Sequence, residues 1–335
     1  MDDVARECGL SKMTVSRVFQ GYPGVSAATR EKVLSAAKRL EYEPNVLAQN
    51  LNSNRAGYIG VATPFEGLLG SHYFSQLLQG FGNVMKDTGF DFALFDTLAE
   101  SFNDPGKLAK LYRQRKVDGL FVVAPHMQDD FIDTLSDLRV PLIVIGENIS
   151  SKTVCSFACN DKQGISLLCS HLLALGHSRV AFIGGPQDLA SASSRRDSYR
   201  DFLKKRRVKV PDWYVQPGAY DIQSGREAGI FLLNSKPRPT AIIAANDLMA
   251  FGVMESARML NLQIPEDISI CGFDDIPASS QYWPPLTTVH QPVKEMGEQG
   301  ARLLLDSLKR DKIPRGQTEI EVTLVVRQTT AAPRK

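Results

Sequence analysis

Two short helices around one glycine are what the start of this chain most readily forms: its first twenty residues run MDDVARECGLSKMTVSRVFQ. Ala5 is small where two helices would touch, and Gly9 suits the left-handed backbone of a tight turn between them. Val15 sets an apolar anchor on the buried side of the second helix. Ser11 stands where its hydroxyl can accept from the N–H of Met13 or Thr14 and cap that helix. Lys12, Met13, Thr14, Ser16 and Arg17 are then left facing outward, as in a helix that lays its N-terminal residues against base edges in a DNA major groove. The competing reading is an ordinary helical hairpin with a charged surface.

A third helix is expected after Ser26 or Ala27, with Val33, Leu34, Ala37 and Leu40 at helical spacing and Pro44 ending it. Residues 44–51 are a short helical candidate followed by the polar stretch 52–55. Alone it is too short to be stable, so it reads either as a linker or as a segment that folds only on a partner. From Tyr58 the pattern changes. Apolar runs at 59–64, 90–95, 119–125 and 141–146 alternate with helical stretches at 73–88, 105–115 and 129–138. A second series places strands at 154–159, 180–185, 241–245 and 268–273 between helices at 164–175, 194–207 and 248–260. Continuous apolar strands alternating with helices imply parallel sheets covered on both faces, in two similar α/β lobes. A crossing stretch at 289–292, a helix at 293–308 and a strand at 320–327 complete the pattern.

The 335 residues suit two or three domains. Net charge is only +2, and residues 1–57, with eight Lys/Arg against six Asp/Glu, hold all of that excess. This is weak support for a nucleic-acid contact there. A secretory signal is not visible, and no apolar run spans a bilayer, so no membrane partner is expected. Cys8, Cys155, Cys159, Cys169 and Cys271 form no CxxC pair, and nothing near Cys155 and Cys159 completes a zinc site. Reduced thiols in a cytoplasmic protein are expected, with neither metal nor cofactor. Gly184-Gly185-Pro186 is no dinucleotide fingerprint, and no Walker lysine motif occurs. His126, His171, His177 and His290 have no nucleophile close in sequence, so an enzyme is not expected.

The ordered segments DVARECGLSKMTVSRV, VSAATREKV, EYEPN, AQNL, YIGV, VDGL, LGHSRVAFIGG, AANDLMAFG, IPEDISICGFDD, PPLTTVHQPVKEMG and VVRQTT resemble, from end to end, the lactose/galactose-repressor (LacI/GalR) family of bacterial transcription regulators. The resemblance implies an α/β chain: an all-α helix-turn-helix headpiece at 1–44, a hinge helix and linker at 45–57, and a periplasmic-binding-protein-like regulatory domain at 58–335. That domain would hold two doubly wound parallel-sheet lobes, lobe one about 58–160 plus 291–319 and lobe two about 161–290 plus 320–335. It further implies a homodimer on double-stranded operator DNA, controlled by a small-molecule effector. The C-terminal residues lack leucine heptads, so a dimer rather than a tetramer is expected.

By the same likeness Lys12, Met13 and Arg17 choose operator sequence. Arg17 can bond bidentately to guanine, and Met13 can offer only apolar contact. Ser11, Thr14 and Ser16 suit helix capping and phosphates. The plain alternatives are a solvated Lys12 and a Met13 packed on the headpiece. In the hinge, Asn45, Ala48 and Leu51 are the expected DNA contacts, with Leu51 as an apolar wedge in the minor groove or, alternatively, a core leucine under the linker. Gln49 stands where many relatives carry arginine. Relatives usually have several residues, a Ser or Thr cap among them, before the first helix, so Met1 is expected to leave that helix without a side-chain cap.

Ligands of open α/β sheets bind beyond the carboxyl ends of strands. Phe65, His126, Glu147, Asn246 and Asp274 fall at such ends, and the family likeness adds Tyr73, Phe74, Arg195, Tyr220 and Gln291. The set suits a polyhydroxylated ligand: Arg195, Asn246 and Asp274 for hydroxyls, and the aromatics for the apolar face of a ring. The bland alternatives are helix caps at Asn246 and Asp247 and a core role for Phe74. Gly146 and Cys159 stand where relatives often carry acids, though Glu147 directly follows Gly146. An Arg195 with fewer carboxylates opposite would favour a sugar acid or sugar phosphate over a neutral sugar. The rival functions are a purine- or nucleoside-responsive regulator and, from another class, a solute-binding protein for transport.

Overall fold

The computed structural model describes residues 1–19, 21–43, 55–66, 68–97, 106–124, 131–147, 154–310 and 315–334. The expectations for Asn45, Ala48, Gln49, Leu51 and His126, and for a hinge helix over 44–51, lie outside the described residues.

Three helices, α1 (Asp2–Cys8), α2 (Lys12–Phe19) and α3 (Ala27–Arg39), form the headpiece. Gly9 ends α1 in the left-handed region at φ 61°, where a side chain would be strained. Ser11 Oγ accepts from the Thr14 N–H at 3.1 Å, and Ser26 Oγ caps α3 by accepting from the Thr29 N–H at 3.2 Å. Met1 supplies no side-chain cap to α1. Val4, Ala5, Cys8, Val15, Val18, Val33, Ala36 and Ala37 close a small core. Leu34 and Leu40 correct the reading of α3: both are exposed, Leu34 by 49%. Helical steps of 100° turn Val33, Ala36 and Ala37 inward together and leave Leu34 to one side, and Leu40 lies past the last turn.

The first lobe is a six-stranded parallel sheet. Its strands are β1 (Tyr58–Thr63), β2 (Asp91–Asp96), β3 (Gly119–Val123), β4 (Leu142–Ile145), β5 (Cys155–Cys159) and β11 (Gly316–Ile320), in the order β11-β5-β4-β3-β1-β2. Helices α4 (His72–Met85), α5 (Gly106–Arg113), α6 (Phe131–Asp137) and α12 (Val293–Arg310) cover it. Every residue of β3, β4 and β5 is buried, as both-face coverage demands. The second lobe carries β6 (Val180–Ile183), β7 (Val215–Gln216), β8 (Ala241–Ala244) and β9 (Ser269–Cys271) in the order β7-β6-β8-β9. Its helices are α7 (Asp161–Ala174), α8 (Ala190–Lys205), α9 (Ile222–Asn234), α10 (Asp247–Met259) and the short α11 (Ala278–Gln281). An antiparallel pair, β10 (Thr288–His290) with β12 (Thr323–Val325), lies beside β9 through single bridges at Cys271–Thr287 and Asp274–His290. All five cysteines are free and buried. Among the described residues no helix is long and apolar enough to cross a membrane.

Two readings of the pattern are corrected. The run at 154–159, counted as the first strand of the second series, pairs with β4 and β11 in the first sheet. Apolar continuity marks a buried strand but does not say which sheet receives it. The single strand expected at 320–327 is two, because the chain passes between lobes at residues 321–322; there the Val322 N–H donates to Gln163 Oε1 at 3.1 Å. With the passages near residues 160 and 291, this makes three crossings. At the headpiece end, the Asp118 carboxylate accepts from the N–H groups of Ala56 (2.9 Å) and Gly57 (2.7 Å), which pins the end of the linker to lobe one.

Candidate functional site

Lys12, Met13 and Arg17 lie exposed on α2, Met13 by 63%, while Val15 and Val18 on the opposite side are buried. Thr14 and Ser16 are half-buried between them. Lys12 Nζ lies 3.0 Å from the Asp2 carboxylate, and both groups are open to solvent, so a phosphate or base can compete for the ammonium. The Arg17 guanidinium sits 5.7 Å from the Tyr22 ring centre with its donors free for an incoming acceptor. The Ser11 hydroxyl is committed to Thr14, by its backbone N–H and its Oγ1. The α2 surface is therefore a row of short polar and cationic groups over an apolar back, the geometry a major-groove helix needs.

The second site is a cavity of about 380 Å³ between the lobes, within the range that encloses a small ligand. The carboxyl ends of β3, β4, β5, β8 and β9 and the starts of α4, α7 and α8 surround it. Seven expected residues line it: Tyr73, Glu147, Arg195, Tyr220, Asn246, Asp274 and Gln291. Phe65 does not; it is half-buried, and its N–H donates to Asp96 Oδ1 at 3.0 Å. Phe74 does not either. One residue beyond Tyr73 on α4, it turns into the core and is fully packed there. Asn246 lines the cavity but is engaged elsewhere: its Oδ1 accepts from the Met249 N–H at 2.9 Å, capping α10, and its Nδ2 donates to the Tyr220 carbonyl at 3.0 Å. The neighbouring Asp247 is a structural hub that accepts from Ser279 Oγ, Thr288 Oγ1 and the Ile276 N–H.

Arg195 is the electrostatic centre of the cavity. Its Nε donates to Asp161 Oδ1 at 2.7 Å, its Nη1 donates to the Ala245 carbonyl at 2.6 Å and lies 3.7 Å from Asp274, and its plane stacks 3.9 Å from the Phe273 ring centre. Burial works against its charge, but the carboxylates of Asp161 and Asp274 outweigh burial and hold it protonated. Gln291 Nε2 donates to Asp274 Oδ1 at 2.5 Å. Burial pushes the Asp274 carboxyl above the usual carboxylate range, against the pull of Arg195. Across the cleft Ser191 Oγ on lobe two donates to Glu147 Oε1 on lobe one at 3.0 Å, and burial raises Glu147 as well, to about 8. The hydroxyls of Tyr73 and Tyr220 are buried and meet no partner at hydrogen-bond geometry among the described residues. Tyr220 (φ 64°) and Asp274 (φ 129°) hold backbone conformations that side-chain-bearing residues rarely adopt, a strain that concentrates at working sites.

Asp161 corrects the charge balance read from the sequence. Gly146 and Cys159 do leave two positions without acids, but Asp161 and Glu147 bring carboxylates back beside Arg195. Gly146 itself has φ 95°, and a Cβ there would fall 2.9 Å from the Tyr73 hydroxyl, so an acid at this position would displace that ring. Asp161, Ser191, Leu248 and Ile276 line the cavity without having been expected. The strand-end argument that selected Glu147 applies equally to Asp161, two residues past β5. A wider recess beside His177, Arg179 and Arg238 lies at the far end of lobe two, where His177 Nε2 meets the Ala331 carbonyl at 2.8 Å and holds the C-terminal segment.

Comparison with known proteins agrees with this two-part arrangement. Residues 1–45 match the family described as bacterial regulatory proteins, lacI family, and residues 169–330 match the periplasmic binding protein-like domain. The chain is 31% identical over 337 residues to the HTH-type transcriptional repressor PurR of Haemophilus influenzae (strain PittEE), covering 98% of this chain and 97% of the relative. It is 30% identical over 328 residues to the ribose operon repressor of Escherichia coli (strain K12), covering 98% of each. Among solved structures, the lac repressor dimer bound to operator and the anti-inducer ONPF superposes with a TM-score of 0.87 at 31% identity, over 98% of both chains. The transcriptional regulator CelR–cellobiose complex gives 0.75 at 28%, again over 98% of both. The chain belongs to the lacI family of bacterial regulatory proteins, DNA-binding regulators of transcription built from a helix-turn-helix headpiece and a periplasmic-binding-protein-like domain.

Proposed function

We propose that this chain is an operator-binding repressor whose hold on DNA is set by a small polyhydroxylated molecule in the cavity between its lobes. The observation that carries this reading is the cavity itself: seven polar or aromatic side chains from both lobes converge on it, two buried tyrosine hydroxyls there have no hydrogen-bond partner among the described residues, and an exposed helix-turn-helix surface occupies the same chain. Arg17 and Lys12 supply base and phosphate contacts, with Arg17 on guanine the main source of sequence choice. A ligand touching Glu147 and Tyr73 on one lobe and Arg195, Tyr220 and Asp274 on the other binds one lobe orientation better than another, and this difference is all it can contribute to the equilibrium. Asp118 passes a lobe-one displacement to the linker through two backbone hydrogen bonds.

Two copies act together, each headpiece taking one half-site of a near-palindromic operator. Trp283, 75% exposed, and Met259, 64% exposed, support pairing through the regulatory domains, as large apolar side chains open to a second copy; Arg258, beside Met259 on α10, donates to the Trp283 carbonyl. The test has two stages. A random-sequence DNA selection with the full chain yields the operator; retardation of that operator is then measured with each member of a panel of sugars, sugar acids, sugar phosphates and purines. A palindromic consensus whose retention changes with one class of compound supports the reading. Failure to enrich any sequence overturns it.

A further inference from the structure

We propose that the effector carries a positively charged nitrogen, as an amino sugar or a similar amine-bearing polyol does, and that Glu147 is its counter-ion; this rests on the reading of the cavity as the effector site. Charge balance within this one cavity points to it. Among the described residues lining the cavity, Arg195 is the only Lys or Arg, whereas Glu147, Asp161 and Asp274 are all acids. Arg195 is already engaged with Asp161, Asp274 and the Ala245 carbonyl. Glu147 is 3% exposed, and among the described residues it receives one side-chain hydrogen bond, from the uncharged Ser191 hydroxyl.

Among the described residues, the titratable and charged groups that share the cavity with Glu147 are Tyr73 and His72 at the start of α4, Cys159 at the end of β5, Asp161 and Arg195 on α7 and α8, Tyr220 before α9 and Asp274 after β9. None but Arg195 holds a fixed positive charge. A sugar acid or phosphate would add negative charge beside these acids, and a neutral sugar would offer Glu147 only uncharged donors. An ammonium group would pair with Glu147 and could donate its remaining protons to the unpartnered phenol oxygens of Tyr73 and Tyr220. Burial already raises the Glu147 carboxyl to about 8, so at neutral pH the empty site keeps a proton that an incoming cation displaces to the buffer.

The test uses the full chain and two size-matched series: 2-amino-1,3-propanediol, glycerol and glycerate; and glucosamine, glucose and gluconate. Binding is measured by titration calorimetry at pH 7 in buffers of different ionisation enthalpy, and by the shift in melting temperature. The amine of at least one series is expected to bind about tenfold or more tighter than its neutral and acidic counterparts, with proton release, as a charge-assisted hydrogen bond should. In Glu147→Gln that ratio and the proton release should both collapse, and this variant should melt higher than the parent above pH 8, which shows that it is folded. An amine that binds no better than its counterparts in either series, or a preference that persists in Glu147→Gln, overturns the proposal. If a compound outside the amine series raises the melting temperature and loses that effect in Gln291→Ala, the cavity remains the effector site and only the charge assignment falls. If binding ignores Gln291→Ala, the cavity reading falls with it.

Discussion

The headpiece and the cleft place their chemistry on opposite sides of their cores. In the headpiece the groups proposed to meet DNA, Lys12, Met13 and Arg17, stand in solvent within six consecutive positions, and the buried residues are apolar or a cysteine. In the cleft the groups proposed to hold the effector lie inside the fold: Arg195 and Glu147 are buried, Asp161 and Asp274 half-buried, Arg195 packs over Phe273, and they come from segments more than a hundred residues apart. Recognition on an exposed surface is separable from stability. Recognition by buried charge is not, because each charged group there depends on the others for its ionisation.

That contrast can be broken or sharpened by substitution. The largest effect is expected from Arg195→Ala, which strands Asp161 and Asp274 in a buried space; removing one member of a buried pair costs about 3–5 kcal/mol, so a large fall in melting temperature should accompany loss of effector response. An unchanged melting temperature would mean that the cleft is more open to water than its burial indicates. Next comes pH. The Glu147 carboxyl rises from an ordinary value of 4.5 to about 8 on folding, so folding favours its protonated form. Its effect on stability is therefore neutral or favourable at low pH, and stability is lost as pH climbs from about 4.5 through 8. Glu147→Gln should flatten that part of the stability-versus-pH curve, measured by urea unfolding.

The headpiece should respond differently. Arg17→Ala is expected to weaken operator binding by about 1–3 kcal/mol, mostly at one base pair, as read by anisotropy on operator variants. Its melting temperature should hardly move, since an exposed substitution of this kind changes stability by about 0.5 kcal/mol or less. A uniform loss across all operator variants would assign Arg17 to phosphate instead. The smallest effect is expected from Ser26→Ala, which removes the α3 cap for about 1 kcal/mol. Hydrogen exchange should show that loss within residues 1–43 alone; faster exchange in the lobes would join the two regions into one cooperative unit.

The same contrast explains what could be read before the structure. The headpiece follows from local spacing: Gly9, Ser11 and Val15 take the roles their types imply, whereas Leu34 and Leu40 fall outside an apolar stripe narrower than their spacing suggests. Strand ends found much of the cleft, because in parallel sheets those ends must meet in one place. What failed there was side-chain direction and charge. Tyr73 and Phe74 are adjacent, yet the helical step sends one to the cavity and the other to the core. Cys159 drew attention for the acid it lacks, while Asp161, two residues on, already holds Arg195. Ion pairing across 34 residues depends on how two helices are brought together, which residue spacing does not record.

The central claim is that cleft occupancy controls the grip on DNA. It is tested most directly by operator affinity of the full chain, measured by anisotropy as a compound that raises its melting temperature is titrated in. The account predicts a change of about 5–150-fold, equivalent to roughly 1–3 kcal/mol of coupling, that disappears in Gln291→Ala together with the rise in melting temperature. A compound that fills the cleft and stabilises the protein while operator affinity stays constant would contradict it.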